Sequence, residues 1–267
     1  MHPIERLRYV ARSSGAPQDL LIIESARALA TFHDDPVALV TACRRVVSRQ
    51  LSSGGLWWLC SRLLCAAEPL DEARAVIEEV EDDTTWRTLT LALEPDATVA
   101  VLGWPAGVSE ALVKRGSGET LVIDAASEGS SFVRYLNGHG VDAVDVPLSG
   151  LSAAVAAADV LVLESSAASP TATMSIMGAL SAAAVAKHQG VPVWMVVGVG
   201  RALPTNVWDA MVKRWDTPDE PWELEDEIVP LDLIDSIIGP NAAVSPAQLG
   251  SLVTCPIAPE LFKADIT

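Results

Sequence analysis

The densest group of hydroxyl side chains in this sequence lies between Glu164 and Ser175, after an apolar run and before a helical pattern. Six serines and threonines fall in this stretch: Ser165, Ser166, Ser169, Thr171, Thr173 and Ser175. Such hydroxyls, together with the first amides of the following helix, could bind a phosphate or a sugar. Helix capping and turn formation are the alternative, since both favour Ser and Thr. The length of the stretch favours a ligand-lining loop, because long loops rarely serve only as connectors.

A second candidate is the segment Gly103–Gly107, which joins the apolar run Val99–Leu102 to a helical pattern. Its backbone N–H groups could receive an anion at the helix N-terminus. The segment has neither the glycine fingerprint of a dinucleotide-binding turn nor the lysine of a P-loop. Gly103, Trp104 and Gly107 are therefore candidate ligand-binding residues, and a simple tight turn is an equally good interpretation.

Two carboxylates, Glu164 and Asp124, lie where apolar runs end. Either could act as a general acid or base, although carboxylates also cap helices and fix loops. No Gly-x-Ser-x-Gly elbow occurs, and none of the four histidines stands out, so a hydrolase triad has no support. The four cysteines show no Cys-x-x-Cys spacing, and we predict neither a metal ion nor another cofactor.

Composition excludes several functional classes. The chain of 267 residues has 35 acidic and 18 basic residues and a net charge of −17, which argues against binding to a nucleic-acid backbone. No apolar stretch approaches the roughly 20 residues that span a bilayer. The N-terminus also lacks the basic start and apolar core of a secretory signal. We therefore expect a cytoplasmic protein with no membrane partner.

The elements that would position these residues are four short apolar runs in the second half of the chain. They are Val99–Leu102, Leu121–Ile123, Val160–Leu163 and Val193–Val197. Continuous runs of this kind are typical of strands buried on both faces of a parallel sheet. Ligands of such sheets bind outside the carboxyl ends of the strands, where both candidate segments lie.

The first 94 residues predict helices instead. We place these helices over Leu20–Thr31, Val37–Leu51, Leu56–Leu64 and Leu70–Leu93. Asp35 is a predicted N-cap before Pro36. The neighbouring Trp57 and Trp58 face different sides of one helix. One of them is therefore expected in the core and the other at a subunit or domain contact. A short helix is also predicted over Leu231–Ile237.

The predicted fold class is accordingly α/β. A helical N-terminal domain over residues 1–94 precedes a Rossmann-like, doubly wound and mainly parallel sheet over residues 95–267, which would be the ligand-binding domain.

Three stretches resemble the family of the translation initiation factor 2B alpha, beta and delta subunits. This family includes the methylthioribose-1-phosphate isomerases and the archaeal ribose-1,5-bisphosphate isomerases. The first stretch is Val160–Gly178 with Ala183–Val193, which is similar to the family's strand, ligand loop, helix and next strand. The others are Asp226–Asp235, with Val244–Pro246 close behind, and Val99–Leu112.

The departures from the family fall on the chemistry. The resemblance places Gly103 where the isomerases have a catalytic cysteine, and Ser165, preceded by Glu164, where they have a catalytic aspartate. Their Asn-Lys pair falls on Ser175 and Ile176, before a glycine that matches Gly178. Isomerisation needs a group that moves a proton, which serine does poorly without an adjacent base.

The resemblance therefore implies an initiation factor 2B-like protein that binds a phosphorylated sugar or nucleotide in a regulatory or non-catalytic role. The alternative is an aldose–ketose isomerase for a sugar 1-phosphate, with Glu164 and Ser165 as altered catalytic residues. The expected ligand-binding residues are Gly103, Trp104, Gly107, Ser166, Thr171, Thr173, Ser175 and Gly178. Family members assemble through the C-terminal domain, which implies a homodimer or larger homo-oligomer with Trp194 and Trp208 as candidate contacts.

Overall fold

A computed structural model describes residues 17–215 and 220–263 of the chain. The predictions that concern residues 1–16, 216–219 and 264–267 lie outside this part. The described chain begins with five helices: α1 (Gln18–Leu29), α2 (Pro36–Arg49), α3 (Gly54–Cys65), α4 (Pro69–Glu81) and α5 (Thr85–Ala92). As predicted, the Asp35 side chain caps α2, since it accepts a hydrogen bond of 3.0 Å from the amide of Ala38, and Pro36 is the first helical residue.

Two details of the helical region differ from the predictions. Trp57 and Trp58 are both fully buried in the core, so neither is available for a subunit contact. Trp58 lies against Gly200, in the second half of the chain, which fits the alternative of a contact between domains. The single helix predicted over Leu70–Leu93 is two helices, α4 and α5. The break comes at Asp83, whose carboxylate accepts hydrogen bonds from the amide and hydroxyl of Thr85 and thereby satisfies an N–H group at the start of α5.

The second half of the chain alternates strands and helices. The strands are β1 (Val99–Leu102), β2 (Glu119–Asp124), β3 (Asp142–Pro147), β4 (Val160–Ala168), β5 (Ala172–Ile176), β6 (Val193–Val196), β7 (Asp226–Pro230), β8 (Ser236–Ile238) and β9 (Ala243–Val244). The helices are α6 (Ala106–Arg115), α7 (Gly129–Gly138), α8 (Leu151–Ala157), α9 (Ala179–Gln189) and α10 (Thr205–Arg214).

The main sheet confirms the predicted fold class. Its strands run in the order β3-β2-β1-β4-β6-β8-β9, and every neighbouring pair is parallel except β8 with β9. All four residues of β1 are buried, because helices cover both faces of the sheet. The order reverses between β1 and β4, so their carboxyl ends form the crevice in which doubly wound sheets bind ligands.

The stretch Glu164–Ser175 is a β-hairpin and not the long loop that we predicted. Strand β4 continues beyond the edge of the main sheet and pairs in antiparallel fashion with β5, which in turn pairs with β7. The prediction relied on the hydroxyl content of the stretch. It overlooked that Ala167 and Met174 face a core, which makes an extended hairpin the more stable arrangement. Helix α9 consequently begins at Ala179 instead of Ile176, and it ends before Gly190 in the left-handed conformation, as a C-cap glycine does.

The helix predicted over Leu231–Ile237 is wrong. A short 3-10 turn over Leu231–Leu233 is followed by β8, which extends the main sheet beside β6. The sequence there is too short to support a helix, and the isoleucines are buried by pairing with the sheet.

The C-terminal part of the described chain returns to the helical region. Cys255, Ala258 and Leu261 lie in the same core as Trp57, and the Arg44 side chain donates a hydrogen bond of 2.8 Å to the carbonyl of Glu260. Helix α10 contributes Trp208 to that core, so this tryptophan packs internally.

The domain division at residues 94 and 95 stays a prediction. None of the helices in the described ranges is both long and apolar enough to cross a membrane.

Candidate functional site

A cavity of about 450 Å³ opens at the carboxyl ends of β1 and β4. The start of α1, the N-terminus of α6, the hairpin and the first residue of β7 surround it. Its lining consists of Pro17, Gln18, Leu102, Trp104, Pro105, Ala106, Glu128, Leu163, Glu164, Ser165, Ser166, Ser175, Ile176, Arg201 and Asp226. The two segments singled out in the sequence therefore meet at one cavity.

Glu164 joins these two segments. Its carboxylate oxygens accept hydrogen bonds of 3.2 and 3.3 Å from the amide of Gly107, in the first turn of α6, and a further hydrogen bond from Arg201. A carboxylate at this place is stabilised by the positive end of the helix dipole. At the start of α6, where the sequence predicted that an anion could bind, the Gly107 amide donates to a side chain of the protein itself.

Arg201 is the buried cation of the site, with only 4% of its surface exposed. Its guanidinium donates to Glu164, to the carbonyl of Ser165 at 3.1 Å and to Asp19 at 3.2 Å. Burial alone would lower the pKa of Arg201, but the two carboxylates outweigh it and raise that pKa. Arg201 therefore stays charged in the buried site.

Sequence reasoning missed Arg201, although a signal was present. The arginine follows strand β6 by only five residues, inside an otherwise apolar stretch at the edge where ligands bind. Gly200, directly before it, has a positive φ of 74°, and a Cβ atom there would lie 2.4 Å from the ring of Trp58. The amide of Val199 donates a hydrogen bond of 2.9 Å to the carboxylate of Asp83. The helical region thus fixes the turn that presents Arg201 to the cavity.

Most of the predicted hydroxyls are engaged in the hairpin itself. The buried Ser165 hydroxyl donates to the carbonyls of Ala167 (2.6 Å) and Met174 (3.1 Å), and the buried Ser175 hydroxyl donates to that of Glu164 (2.7 Å). Ser165, Ser166 and Ser175 line the cavity. Their hydroxyl protons are committed to backbone oxygens, which leaves lone pairs as the groups that a ligand could use.

The remaining hydroxyls lie away from the cavity. Ser169 accepts hydrogen bonds from the amides of Thr171 and Ala172, and so forms the turn chemistry that was the alternative interpretation. Thr171 is exposed in this turn. Thr173 is buried and donates to the carbonyl of Val229. Thr171 and Thr173, predicted to bind ligand, do not line the cavity.

The glycines and the tryptophan of the predicted site have different positions. Trp104 lies on the rim, 38% exposed, and stacks on Phe132 with ring centroids 5.3 Å apart. Gly103 and Gly178 both have positive φ values and serve as turns beside the cavity without lining it. Asp124, the other candidate carboxylate, accepts a hydrogen bond from the amide of Gly129 and caps α7.

Asp226 is a second residue that sequence reasoning missed as a site residue. It begins β7, lies opposite Ile176 of β5 and lines the cavity. Burial raises the pKa of its carboxyl to about 6, against the opposing effect of a hydrogen bond from the Ser52 hydroxyl, while nearby Glu225 adds to the rise. Asp226 can therefore change its charge not far below neutral pH.

Within residues 17–215 and 220–263, no group of three or more histidines, cysteines, aspartates and glutamates is arranged to hold a metal ion. Of the carboxylates around the cavity, Glu164 is paired with Arg201, Glu128 lies on the rim and Asp226 begins a separate strand. They therefore do not point towards one place where a metal ion could bind.

Comparison with known proteins shows which fold this is. No protein-family model matches the sequence, and no curated protein matches it. Solved structures do match. Similar chains include eIF2B beta from Chaetomium thermophilum (TM-score 0.72, 17% identity, 94% of this chain and 88% of that chain). Another is the Pyrococcus horikoshii OT3 translation initiation factor eIF-2B, with a TM-score of 0.77 and 12% identity over 94% of this chain and 98% of that chain. A chain of the tetrameric eIF2B-beta2-delta2 complex from C. thermophilum has a TM-score of 0.76 and 19% identity over 93% of this chain and 92% of that chain.

The chain has the eIF2B-like fold, from its N-terminal helices to the end of its parallel sheet. This confirms the resemblance that three short stretches of sequence indicated. At identities of 12 to 19%, the likeness establishes the fold, and the chemistry of the cavity has to be argued from its own residues.

Proposed function

We propose that this chain is a ligand-binding protein of the eIF2B-like fold that performs no chemistry on its ligand. The ligand class that we propose is a phosphorylated sugar or nucleotide. The cavity has a suitable place and size, because it lies at the reversal point of a doubly wound sheet and falls within the range of roughly 300–1,000 Å³ that small-molecule pockets occupy. The predicted place of action is the cytoplasm.

The observation that supports the non-catalytic role is which residues stand at the positions that match the catalytic residues of the isomerases, and what those residues contact. Glycine stands at 103, where the resemblance puts a cysteine, and the Ser165 hydroxyl is buried and donates to two carbonyls. The carboxylate of Glu164 is already engaged by Arg201 and by the amide of Gly107. A general acid or base has to reach the proton that it moves. A glycine and two side chains that are already engaged within the protein are poorly suited to isomerisation.

The phosphate has a defined place in this proposal. Glu164 fills the anion position at the start of α6, and Arg201 faces the same position. A phosphate that displaces the Glu164 side chain would gain the amide of Gly107, the helix dipole and part of the guanidinium. Ligand binding would then be a competition between an external anion and an internal one, which suits a sensor whose response depends on ligand concentration.

The test is a binding screen followed by a turnover assay. Thermal unfolding is measured with ribose 5-phosphate, methylthioribose 1-phosphate and nucleoside monophosphates, each beside its unphosphorylated counterpart. A ligand at one hundred times its Kd stabilises the folded state by about 2.7 kcal/mol, which is readily seen. Stabilisation by phosphorylated compounds alone, with no new isomer in an NMR time course, is the expected result. No stabilisation by any of them would contradict the proposal.

An isomerase is the second candidate, and Asp226 is the observation that favours it. A general acid or base works best when its pKa lies near the operating pH, and that of Asp226 is raised to about 6. In that case methylthioribose 1-phosphate or ribose 1,5-bisphosphate would be converted to a ketose. The conversion would be lost in Asp226→Asn and would persist in Ser165→Ala.

The proposal extends to assembly. One of the similar structures is a tetrameric complex of two kinds of eIF2B subunit, and we propose that this chain forms a homodimer or larger homo-oligomer. Of the two tryptophans predicted at the contact, Trp208 is core and Trp194 is partly buried. Light scattering after size-exclusion chromatography tests this. A monomer at all concentrations up to roughly 100 μM would exclude a stable homo-oligomer, for which Kd values lie well below that figure.

A further inference from the structure

We propose that Asp226 sets the ligand preference of the cavity: in its protonated form it donates a hydrogen bond to an anionic oxygen of the ligand, so that binding takes up one proton. This inference rests on the proposed function, since it concerns the phosphorylated ligand of the same cavity. It assigns to Asp226 a role in recognition that the sequence did not indicate.

The position of Asp226 is the first support. Asp226 starts β7 in register with Ile176, the last residue of β5, and both residues line the cavity together with Glu164 and Ser175. Its hydrogen-bond partner is the hydroxyl of Ser52, in the connection between α2 and α3. Asp226 therefore lies where the small sheet, the helical region and the cavity meet.

The charges around Asp226 are the second support. The charged side chains that share the cavity are Glu164 and Arg201, which are paired with each other, and Glu128 on the rim. Glu225 precedes Asp226 in the chain, while β5 contributes the uncharged Ile176. In the described part of the chain, Asp226 forms no ion pair. Its surroundings are thus acidic, in contrast to those of Glu164.

Such surroundings oppose a phosphate unless one carboxyl is neutral. An ionised Asp226 would repel the phosphate and could only accept hydrogen bonds, as a phosphate oxygen does. A protonated Asp226 removes one negative charge and supplies an O–H donor, and hydrogen bonds from O–H to an anionic oxygen are short and strong. Because burial has already raised its pKa to about 6, little further change is needed for the proton to be held in the complex.

The size of the effect follows from that pKa. At pH 7.5 about one molecule in thirty carries the proton on Asp226, and the apparent affinity is reduced by that fraction. A neutral residue of the same shape should remove this penalty. Asp226→Asn is therefore expected to bind ribose 5-phosphate up to about thirtyfold more tightly than the wild type at pH 7.5, and about equally at pH 5.

The experiment is isothermal titration calorimetry of the full chain with ribose 5-phosphate at pH 7.0, in two buffers of different ionisation enthalpy. A phosphate monoester itself titrates near pH 6, so the measured quantity is the difference in proton uptake between the wild type and Asp226→Asn. We expect close to one additional proton in the wild type. Glu223→Gln is the matched control, because it removes an exposed carboxylate just before β7 and should leave proton uptake unchanged.

A second variant keeps the inference testable if Asp226→Asn does not fold. Ser52→Ala removes the hydrogen bond that favours the ionised form, so it should raise the pKa of Asp226 and strengthen binding at pH 7.5. Equal proton uptake in the wild type and in Asp226→Asn, or equal affinity at pH 7.5, would overturn this inference alone. Failure of ribose 5-phosphate and of every other phosphorylated probe to bind at any pH would overturn the proposed function, and this inference with it.

Discussion

Glu164 and Arg201 form an ion pair that is almost completely buried, with 13% and 5% of the two side chains exposed. The two residues are 37 positions apart in the sequence. Glu164 is the last residue of β4 that pairs with β6, and Arg201 lies in the turn after β6. Their pairing fixes the charge at the base of the cavity. It also links the cavity to α1 through Asp19, the second carboxylate on the guanidinium.

The first prediction concerns the buried cation. Arg201→Met leaves Glu164 without its partner in a poorly solvated site, and removing one member of a buried pair typically costs about 3–5 kcal/mol. Urea unfolding should show a loss of that order. Arg74→Met, which removes an exposed ion pair with Asp71, is the matched control and should cost no more than about 0.5 kcal/mol. Similar losses in the two variants would show that the buried pair has no special importance for stability.

The second prediction concerns the internal anion. Glu164→Gln removes the charge that occupies the start of α6 and releases the part of the Arg201 guanidinium that Asp19 does not hold, so that it can bind a phosphate. Affinity for ribose 5-phosphate should rise roughly tenfold, since a hydrogen bond to a charged group contributes about 1.5–3 kcal/mol. Calorimetric titration measures this, and Glu110→Gln on the exposed face of the same helix is the control. Weaker binding by Glu164→Gln would mean that Glu164 contacts the ligand directly.

The third prediction concerns pH. The pKa of Asp226 is raised in the folded state from 3.8 to about 6, so between these values the folded chain binds more protons than the unfolded chain. Stability contributed by this residue is therefore present at low pH and is lost as the pH rises towards 6. Asp226→Asn should be more stable than the wild type at pH 7.5, and the difference should close below about pH 4. Urea unfolding of both proteins across this range tests it, with the exposed Asp71→Asn as control.

The fourth prediction separates backbone strain from steric conflict. Gly190 and Gly200 have nearly the same φ, 73° and 74°, but a Cβ atom at 190 meets nothing within 4 Å while one at 200 lies 2.4 Å from Trp58. Gly190→Ala should cost about 1–2 kcal/mol for the left-handed backbone alone. Gly200→Ala should cost at least about 1–3 kcal/mol more, because the buried Trp58 has no room to shift. Thermal unfolding of the two variants should rank them clearly, and equal losses would rule out the clash.

Much of the fold was predictable because its signals are local. The apolar runs that became β1, β4 and β6 are continuous and short, which favours strands buried on both faces of a parallel sheet. Strand β8 was mistaken for a helix, since an apolar run of its length satisfies either structure until its neighbours are known. The hairpin was missed because serine and threonine are common in turns and also pair well across strands.

The site was predictable only in part, for a related reason. Glu164 and the Gly103–Gly107 segment could be located because strand ends identify themselves in the sequence. The arginine that pairs with Glu164 could not be located. Arg201 lies 37 residues further along the chain, and its second carboxylate, Asp19, is 182 residues away and meets it only when α1 packs over the sheet. The role of each hydroxyl depended likewise on which carbonyl lay beside it after folding. Local pattern thus located the cavity, and tertiary packing decided its charge.

Strand β4 belongs to two sheets at once, and the change of partner strand occurs at Glu164, the carboxylate that pairs with Arg201 in the cavity. Glu164 is its last residue paired with β6, and Ser165, next to it, is already paired with β5. The two pairings are directly adjacent, and the register of the β4–β5 pair shifts only after Ser165. The cavity and the small sheet of β4, β5 and β7 therefore share one strand, which meets the cavity at Glu164.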